Sequence, residues 1–187
     1  MTSEEAAALV IDALEAVGVN YMLVGSFSSN FYGVPRATAD ADFVVQLGRT
    51  SVSEIAERLR PALRLDPQSR FEGVTATTRY VFQAADTPFE VELFLLTDET
   101  FDQERFKRRV RVSLLGRETF LPTAEDVIIM KLLWSERGKR AKDLDDARNV
   151  ALIQKDALDW DYVHSWCDRH GTRQLLDEIR QSIPPGT

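Results

Sequence analysis

The chain has a single cysteine, Cys167, among its 187 residues. No internal disulfide can form, and such cysteine usage fits a reducing, cytoplasmic compartment. Histidine is scarce as well, with only His164 and His170. Together with Cys167 they do not complete a four-ligand zinc set, so both read as surface or packing residues. No apolar run approaches the roughly 18 residues that a membrane span requires. The start, MTSEEAAALV, lacks the basic residues and apolar stretch of a signal peptide. Basic residues are in the minority: 23 Lys and Arg stand against 30 Asp and Glu, for a formal net charge of −7. That balance argues against non-specific coating of nucleic acid but leaves room for a local basic patch. There is no internal repeat and no low-complexity segment.

What is present suffices for a real core, since 44 % of the residues are hydrophobic. The length suits one domain, or one domain with an appendage. Residues 3–17 read as an amphipathic helix opened by a capping box, Thr2 with Glu5. Ser51 and Glu54 repeat that signal before a helix ending near Pro61. Residues 63–78 are turn-rich and give no clear element. Tyr80–Ala84 and Phe89–Leu96 read as strands joined at Asp86-Thr87-Pro88, residues 99–107 as a helix, and Arg109–Leu115 with Arg117–Leu121 as a hairpin around Gly116. Adjacent strands joined by short turns exclude a purely parallel sheet. After Pro122 the pattern turns helical, with helices from Thr123 and over 141–154, 158–169 and 172–182. The expected layout is an α/β half over 1–121, a helical half over 122–183 and a tail at 184–187.

The stretch that points to chemistry is Tyr21–Val45, YMLVGSFSSNFYGVPRATADADFVV. It reads as a short strand, a Gly-Ser turn, a helix to about Tyr32 broken by Gly33 and Pro35, and a second strand over 41–46 bearing the acidic pair. Period-two alternation puts Asp40 and Asp42 on one strand face, roughly 6.5–7 Å apart. Two carboxylates held side by side repel, and a divalent cation relieves the repulsion. Gly25 and Ser26 end the first strand where backbone N–H groups can meet a phosphate. The plainer alternative is a strand-to-helix turn with Ser26 as N-cap. Arg36 would neutralise phosphate charge or pair with Asp40. On a later strand Glu90, Glu92 and Phe94 share one face, and Val91, Leu93 and Leu95 the other.

Gly25-Ser26, thirteen residues, and then Asp40-Ala41-Asp42 resemble the core motif of the nucleotidyltransferase superfamily, whose fold is shared with DNA polymerase beta. Tyr32, Gly33, Arg36, Thr38, Asp40 and Asp42 are similar to a string found in its minimal bacterial branch, which includes the AbiEii-like toxins of toxin–antitoxin systems. The resemblance implies a nucleotidyltransferase-like mixed sheet with flanking helices and a C-terminal helical bundle. It implies that Asp40 and Asp42 hold Mg2+ or Mn2+. Glu92, in Val91-Glu92-Leu93-Phe94, would be the third carboxylate where the family has aspartate, with Glu90 as its rival. Gly25 and Ser26 would grip the triphosphate. Lys131, inside EDVIIMKLLW, would contact the nucleotide phosphates, with Asp143 supporting it; the alternative is an interhelical salt bridge. A lysine that meets phosphate rather than protein would be lost with more harm to activity than to stability.

The implied reaction moves a nucleoside monophosphate from an NTP to a hydroxyl of RNA or tRNA, of a small molecule such as an aminoglycoside, or of a protein. A toxin-like member would have a cognate antitoxin or partner protein. The alternative is a catalytically weak, nucleotide-binding or partner-binding regulatory module, kept open by glutamate at the third position. Two basic clusters, Arg105–Arg111 and Arg137–Arg140, read as solvated faces, with RNA binding as the lesser reading.

Overall fold

The computed structural model describes residues 1–85 and 87–183. Asp86 of the expected turn and the expected tail at 184–187 lie outside the described residues. The chain forms two compact units, one of Met1–Phe27 with Ala37–Leu121, the other of Ser28–Arg36 with the chain from Pro122 onward.

The first unit is built on a mixed sheet. Its elements are α1 (Ser3–Ala16), β1 (Asn20–Val24), the start of α2 (Gly25–Tyr32), β2 (Asp40–Gln46), α3 (Val52–Leu59), β3 (Leu63–Leu65), β4 (Arg70–Glu72), β5 (Thr77–Ala84), β6 (Glu90–Leu95), α4 (Thr100–Arg108), β7 (Val110–Leu114) and β8 (Arg117–Leu121). Both expected capping boxes form. Glu5 N–H donates to Thr2 Oγ1 at 3.1 Å while Thr2 N–H donates to Glu5 Oε2 at 2.7 Å, and Ser51 with Glu54 does the same at α3. Each box satisfies backbone donors that a helix start leaves without partners.

The sheet runs β1-β2-β6-β5-β3, with β4 also on β5. The pair β2–β6 is parallel and the others are antiparallel. β3 and β4 come from the turn-rich stretch. At three residues each they are too short for alternation to reveal them, and pairing with β5 is what makes them strands.

One face of the sheet is apolar along its length: Tyr21, Leu23, Ala41, Phe43, Val45, Val91 and Leu93 are buried on it. The other face changes character along the strands. Towards one end Met22, Val44 and Phe94 pack with Phe106 of α4, flanked by Val24, Leu96 and Phe120. Towards the other end the same alternation delivers Asp42, Asp40, Glu92 and Glu90. Burying the apolar end, at about 25 cal/mol per Å2, holds the strands in a register that also fixes the acidic end. A slip of one residue would send every carboxylate into the apolar layer.

The second unit contains the remainder of α2, the segment to Arg36, and helices α5 (Ala124–Gly138), α6 (Ala141–Gln154), α7 (Trp160–His170) and α8 (Arg173–Ser182). Thr123 caps α5 and Gly171, at φ +73°, ends α7. Ile128, Leu132, Ala147, Val150, Val163, Cys167, Leu176 and Ile179 form its core. Burial pushes the Cys167 thiol up to about 11, which makes it a packing residue rather than a nucleophile. The segment before β2 runs along α6. Arg36 meets Asp146, Gly33 meets Val150, and Gln154 Nε2 donates to the Tyr32 carbonyl at 2.9 Å. Positions 146, 150 and 154 are one turn apart and share a helix face. Among the described residues, no helix is long and apolar enough to cross a membrane.

Candidate functional site

β1 ends at Val24, and Gly25 begins α2 at φ +61°. That conformation costs a residue with a Cβ roughly 1–2 kcal/mol. Space demands glycine as strongly: a Cβ on Gly25 would stand 1.9 Å from Asp42 Oδ2 and 2.9 Å from its carboxyl carbon. The Asp42 carboxylate is therefore seated directly on the backbone of the first residue of α2, at the positive end of that helix's dipole. Ser26 is buried in the first turn of α2.

Asp40, the first residue of β2, accepts a hydrogen bond from Thr38 Oγ1 at 2.7 Å. It lies on the same strand face as Asp42 and opposite Glu90, as Asp42 lies opposite Glu92. Neighbouring strands are about 4.8 Å apart, so four carboxylates occupy two adjacent cross-strand pairs. Like charges directly opposite destabilise a sheet. Part of the compensation comes from β5, whose Gln83 Nε2 donates to Glu90 Oε1 at 3.2 Å. Arg79 Nη1 donates to both Glu92 oxygens at 2.8 Å. Burial pushes the Glu92 carboxyl above its ordinary value; Arg79 opposes this, and the charges of Asp40 and Glu90 add to the rise.

Sequence reading placed Glu92 in one metal-holding set with Asp40 and Asp42. The strands do bring it onto their face, but its carboxylate is committed to Arg79. Among the described residues, no three His, Cys, Asp or Glu side chains are grouped so that they could hold a metal ion. The two aspartates share one face of β2. They offer hard oxygen ligands, and magnesium commonly takes one or two carboxylates together with water and substrate phosphates. Arg79 itself was missed. Nothing in its local sequence marks it, and only the β5–β6 register shows that it shares the face of Glu92.

The second unit holds its own buried cluster. Lys131 on α5 is 9 % exposed and bridges Asp143 Oδ1 at 2.8 Å and Asp146 Oδ2 at 2.7 Å on α6. Arg36 clamps Asp146 from the other side, Nε to Oδ1 at 2.9 Å and Nη2 to Oδ2 at 2.8 Å. Ser29 Oγ donates to Oδ2 at 3.4 Å. Arg140 Nε lies 3.1 Å from Asp143 Oδ2. Burial alone would raise the Asp146 carboxyl, but Arg36 and Lys131 outweigh it and hold the group down to about 2. Two expectations change. Arg36 pairs with Asp146, where the chain around Gly33 is laid along α6. Lys131 is bound by protein carboxylates, the interhelical salt-bridge alternative, with both partners inside the second unit.

The basic clusters are not continuous basic faces. Arg105 is buried against Asp102 at 2.8 Å, and Arg109 stacks on Phe106 and Phe120. Arg111 lies 3.3 Å from Glu118, and Arg140 stacks on Trp134 while reaching Asp143. Trp166 lies 5.6 Å from His170, ring to ring, and His164 Nε2 is 2.8 Å from Arg180 Nη1, as expected of packing residues.

No protein-family model matches the sequence, and no curated protein matches it. Solved structures do match. The antibiotic-resistance factor ANT(2'')-Ia superposes with a TM-score of 0.63 at 10 % identity, over 96 % of each chain. The lincosamide antibiotic adenylyltransferase LnuA, bound to lincomycin, gives 0.55 at 12 % identity over 81 % of this chain and 98 % of its own. An antigenic nucleotidyltransferase-like protein from Paracoccidioides brasiliensis gives 0.52 at 17 % identity over 80 % and 74 %. At these identities the likeness concerns the fold, and the chain has the mixed α/β fold of nucleotidyltransferases.

Proposed function

We propose that this protein is a metal-dependent nucleotidyltransferase, moving a nucleoside monophosphate from an NTP to a hydroxyl and releasing pyrophosphate. One observation carries the reading: the Asp42 carboxylate rests on a left-handed glycine at the start of α2, with Asp40 beside it on the same strand face. Two carboxylates of β2 and the N-terminus of α2 thus lie side by side in space, although they are separate in sequence. A triphosphate coordinated to a divalent ion requires both.

Asp40 and Asp42 would hold Mg2+ or Mn2+, which when bound supplies charge neutralisation at the triphosphate. Gly25, lacking a side chain, lets the backbone approach the phosphates, and Ser26 adds a hydroxyl donor. The acceptor oxygen forms a bond to the α-phosphorus as the α–β bridging bond breaks. Its proton passes to a carboxylate of the same sheet face. In the second unit Lys131, Arg36 and Asp143 act by shaping the segment 28–36 rather than by contacting phosphate.

For the acceptor we favour a small hydroxylated molecule over RNA. ANT(2'')-Ia, whose structure holds adenylyl-2''-tobramycin, is spanned by nearly the whole of this chain, and the basic clusters are engaged internally. A cytoplasmic location belongs to the same proposal, since a lone buried cysteine has no need of an oxidising compartment. A toxin-like role with a cognate antitoxin rests on the motif string from Tyr32 to Asp42 alone. Expression of this chain by itself would arrest growth if that role holds.

A second reading has an observation in its favour: with Glu92 tied to Arg79, the protein would bind nucleotide without transferring it. Incubation with α-phosphate-labelled NTPs, magnesium, and separate pools of hydroxylated antibiotics and total RNA separates the two. Label entering an acceptor pool, lost in Asp42→Asn, supports the enzyme. Nucleotide binding with no label transferred from any of the four NTPs supports the binding module.

A further inference from the structure

Arg79 lies on β5, across β6 from the aspartates, and reaches diagonally to Glu92, whose cross-strand partner is Val81. A single nitrogen, Nη1, contacts both carboxylate oxygens at 2.8 Å. The two side chains are 26 % and 14 % exposed. Arg79 Nε is buried with no hydrogen-bond partner among the described residues, so the desolvation of this guanidinium is offset mainly by Glu92. A divalent ion would bind a carboxylate oxygen at roughly 2.1 Å. On Glu92 it would meet a cationic nitrogen already 2.8 Å from that oxygen, in surroundings that screen little. Across the whole face, Asp40, Asp42, Glu90 and Glu92 make four carboxylates. Arg79 and one divalent ion together supply three positive charges against them, before any triphosphate arrives.

We propose that Arg79 takes the place of a second cation: it keeps Glu92 out of metal coordination, so the site accepts one divalent ion, on Asp40 and Asp42. This rests on the nucleotidyl-transfer reading of the acidic face. It makes Arg79 a positioning residue that sets the metal count.

The test is electron paramagnetic resonance of Mn2+ titrated into the full chain without nucleotide, so that no ion enters on a triphosphate. Two ions sharing carboxylates lie about 3.5–4 Å apart and give a spin-coupled spectrum, whereas an isolated ion does not. The wild type should bind one uncoupled ion, lost in Asp42→Asn. Arg79→Met should double the count and produce the coupled spectrum. Arg79→Lys, which keeps the charge, and Arg79→Met combined with Glu92→Gln should both return to one ion.

A coupled pair in the wild type overturns the inference without any variant having to fold. So does a single ion in an Arg79→Met protein whose circular dichroism is unchanged. Both outcomes leave the nucleotidyl-transfer reading standing. A wild type that binds no manganese, even beside a non-hydrolysable NTP, overturns that reading and this inference with it.

Discussion

Replacing Lys131 with Met removes the cation at the centre of the second unit's charge cluster while keeping most of the side-chain volume. Asp143 and Asp146 are 3 % and 5 % exposed, so neither can turn to water for compensation. Among the described residues, Asp146 retains Arg36, but Asp143 retains only Arg140, whose own side chain is 40 % exposed. Breaking a buried pair by deleting one partner costs about 3–5 kcal/mol, because the charge left behind is uncompensated. With two arginines remaining, the lower end applies. At about 3 kcal/mol, and roughly 2–4 °C per kcal/mol for a chain of this size, the thermal midpoint should fall by roughly 6–12 °C. Circular dichroism at neutral pH measures it.

An acid series sharpens the test. A carboxyl held at about 2 instead of 3.8 contributes about 2 kcal/mol of stability. Because the folded value is depressed, that stability is present above pH 4 and is lost as the pH falls towards 2. In Lys131→Met the Asp146 carboxyl titrates higher, so its share is already gone near pH 4, and the gap between variant and wild type should narrow from pH 4 to pH 2. A midpoint within 2 °C of wild type at pH 7, or a gap that stays constant in acid, would refute the account of Lys131 as the cluster's central counter-ion.

Gly25→Ala combines backbone strain of about 1–2 kcal/mol with a Cβ placed on Asp42. It should abolish nucleotide-dependent stabilisation while the protein still folds, and thermal shift with and without magnesium and NTP reads both effects. On the proposed function, magnesium with an NTP should raise the wild-type midpoint and Asp42→Asn should erase that rise, since a ligand stabilises only the state it binds. Were RNA the acceptor, binding would weaken steeply with salt and fall on charge reversal at Arg108 or Arg140. We expect neither, and a filter-binding series across salt concentrations decides it.

The acidic pair was legible because strand alternation and the Gly-Ser spacing are local properties, and the parallel β2–β6 register put Glu90 and Glu92 on the expected face. Two pairings were not legible. Arg36 is four residues from Asp40 in sequence but bonds a helix 110 residues away. Arg79 meets Glu92 because of how two antiparallel strands align, which depends on a turn and on packing rather than on either residue. Lys131 was marked by its apolar surroundings, which show that such a charge must meet an anion but not whether that anion is a ligand or the protein. β3 and β4 were invisible for a different reason, since three residues carry no period.

The contact between Gly25 and Asp42 also shapes how sequences of this kind can drift. The two positions do not vary independently. While the aspartate stands, every side chain at 25 is excluded twice, by backbone conformation and by collision. If a lineage gives up Asp42 for a small residue, the collision disappears and only the conformational bias remains, which asparagine and aspartate tolerate well. Among diverged copies, a side chain at position 25 should thus be a trace left after the aspartate has gone. The glycine would record retained chemistry more faithfully than the carboxylates, which a sheet surface can keep for solubility alone.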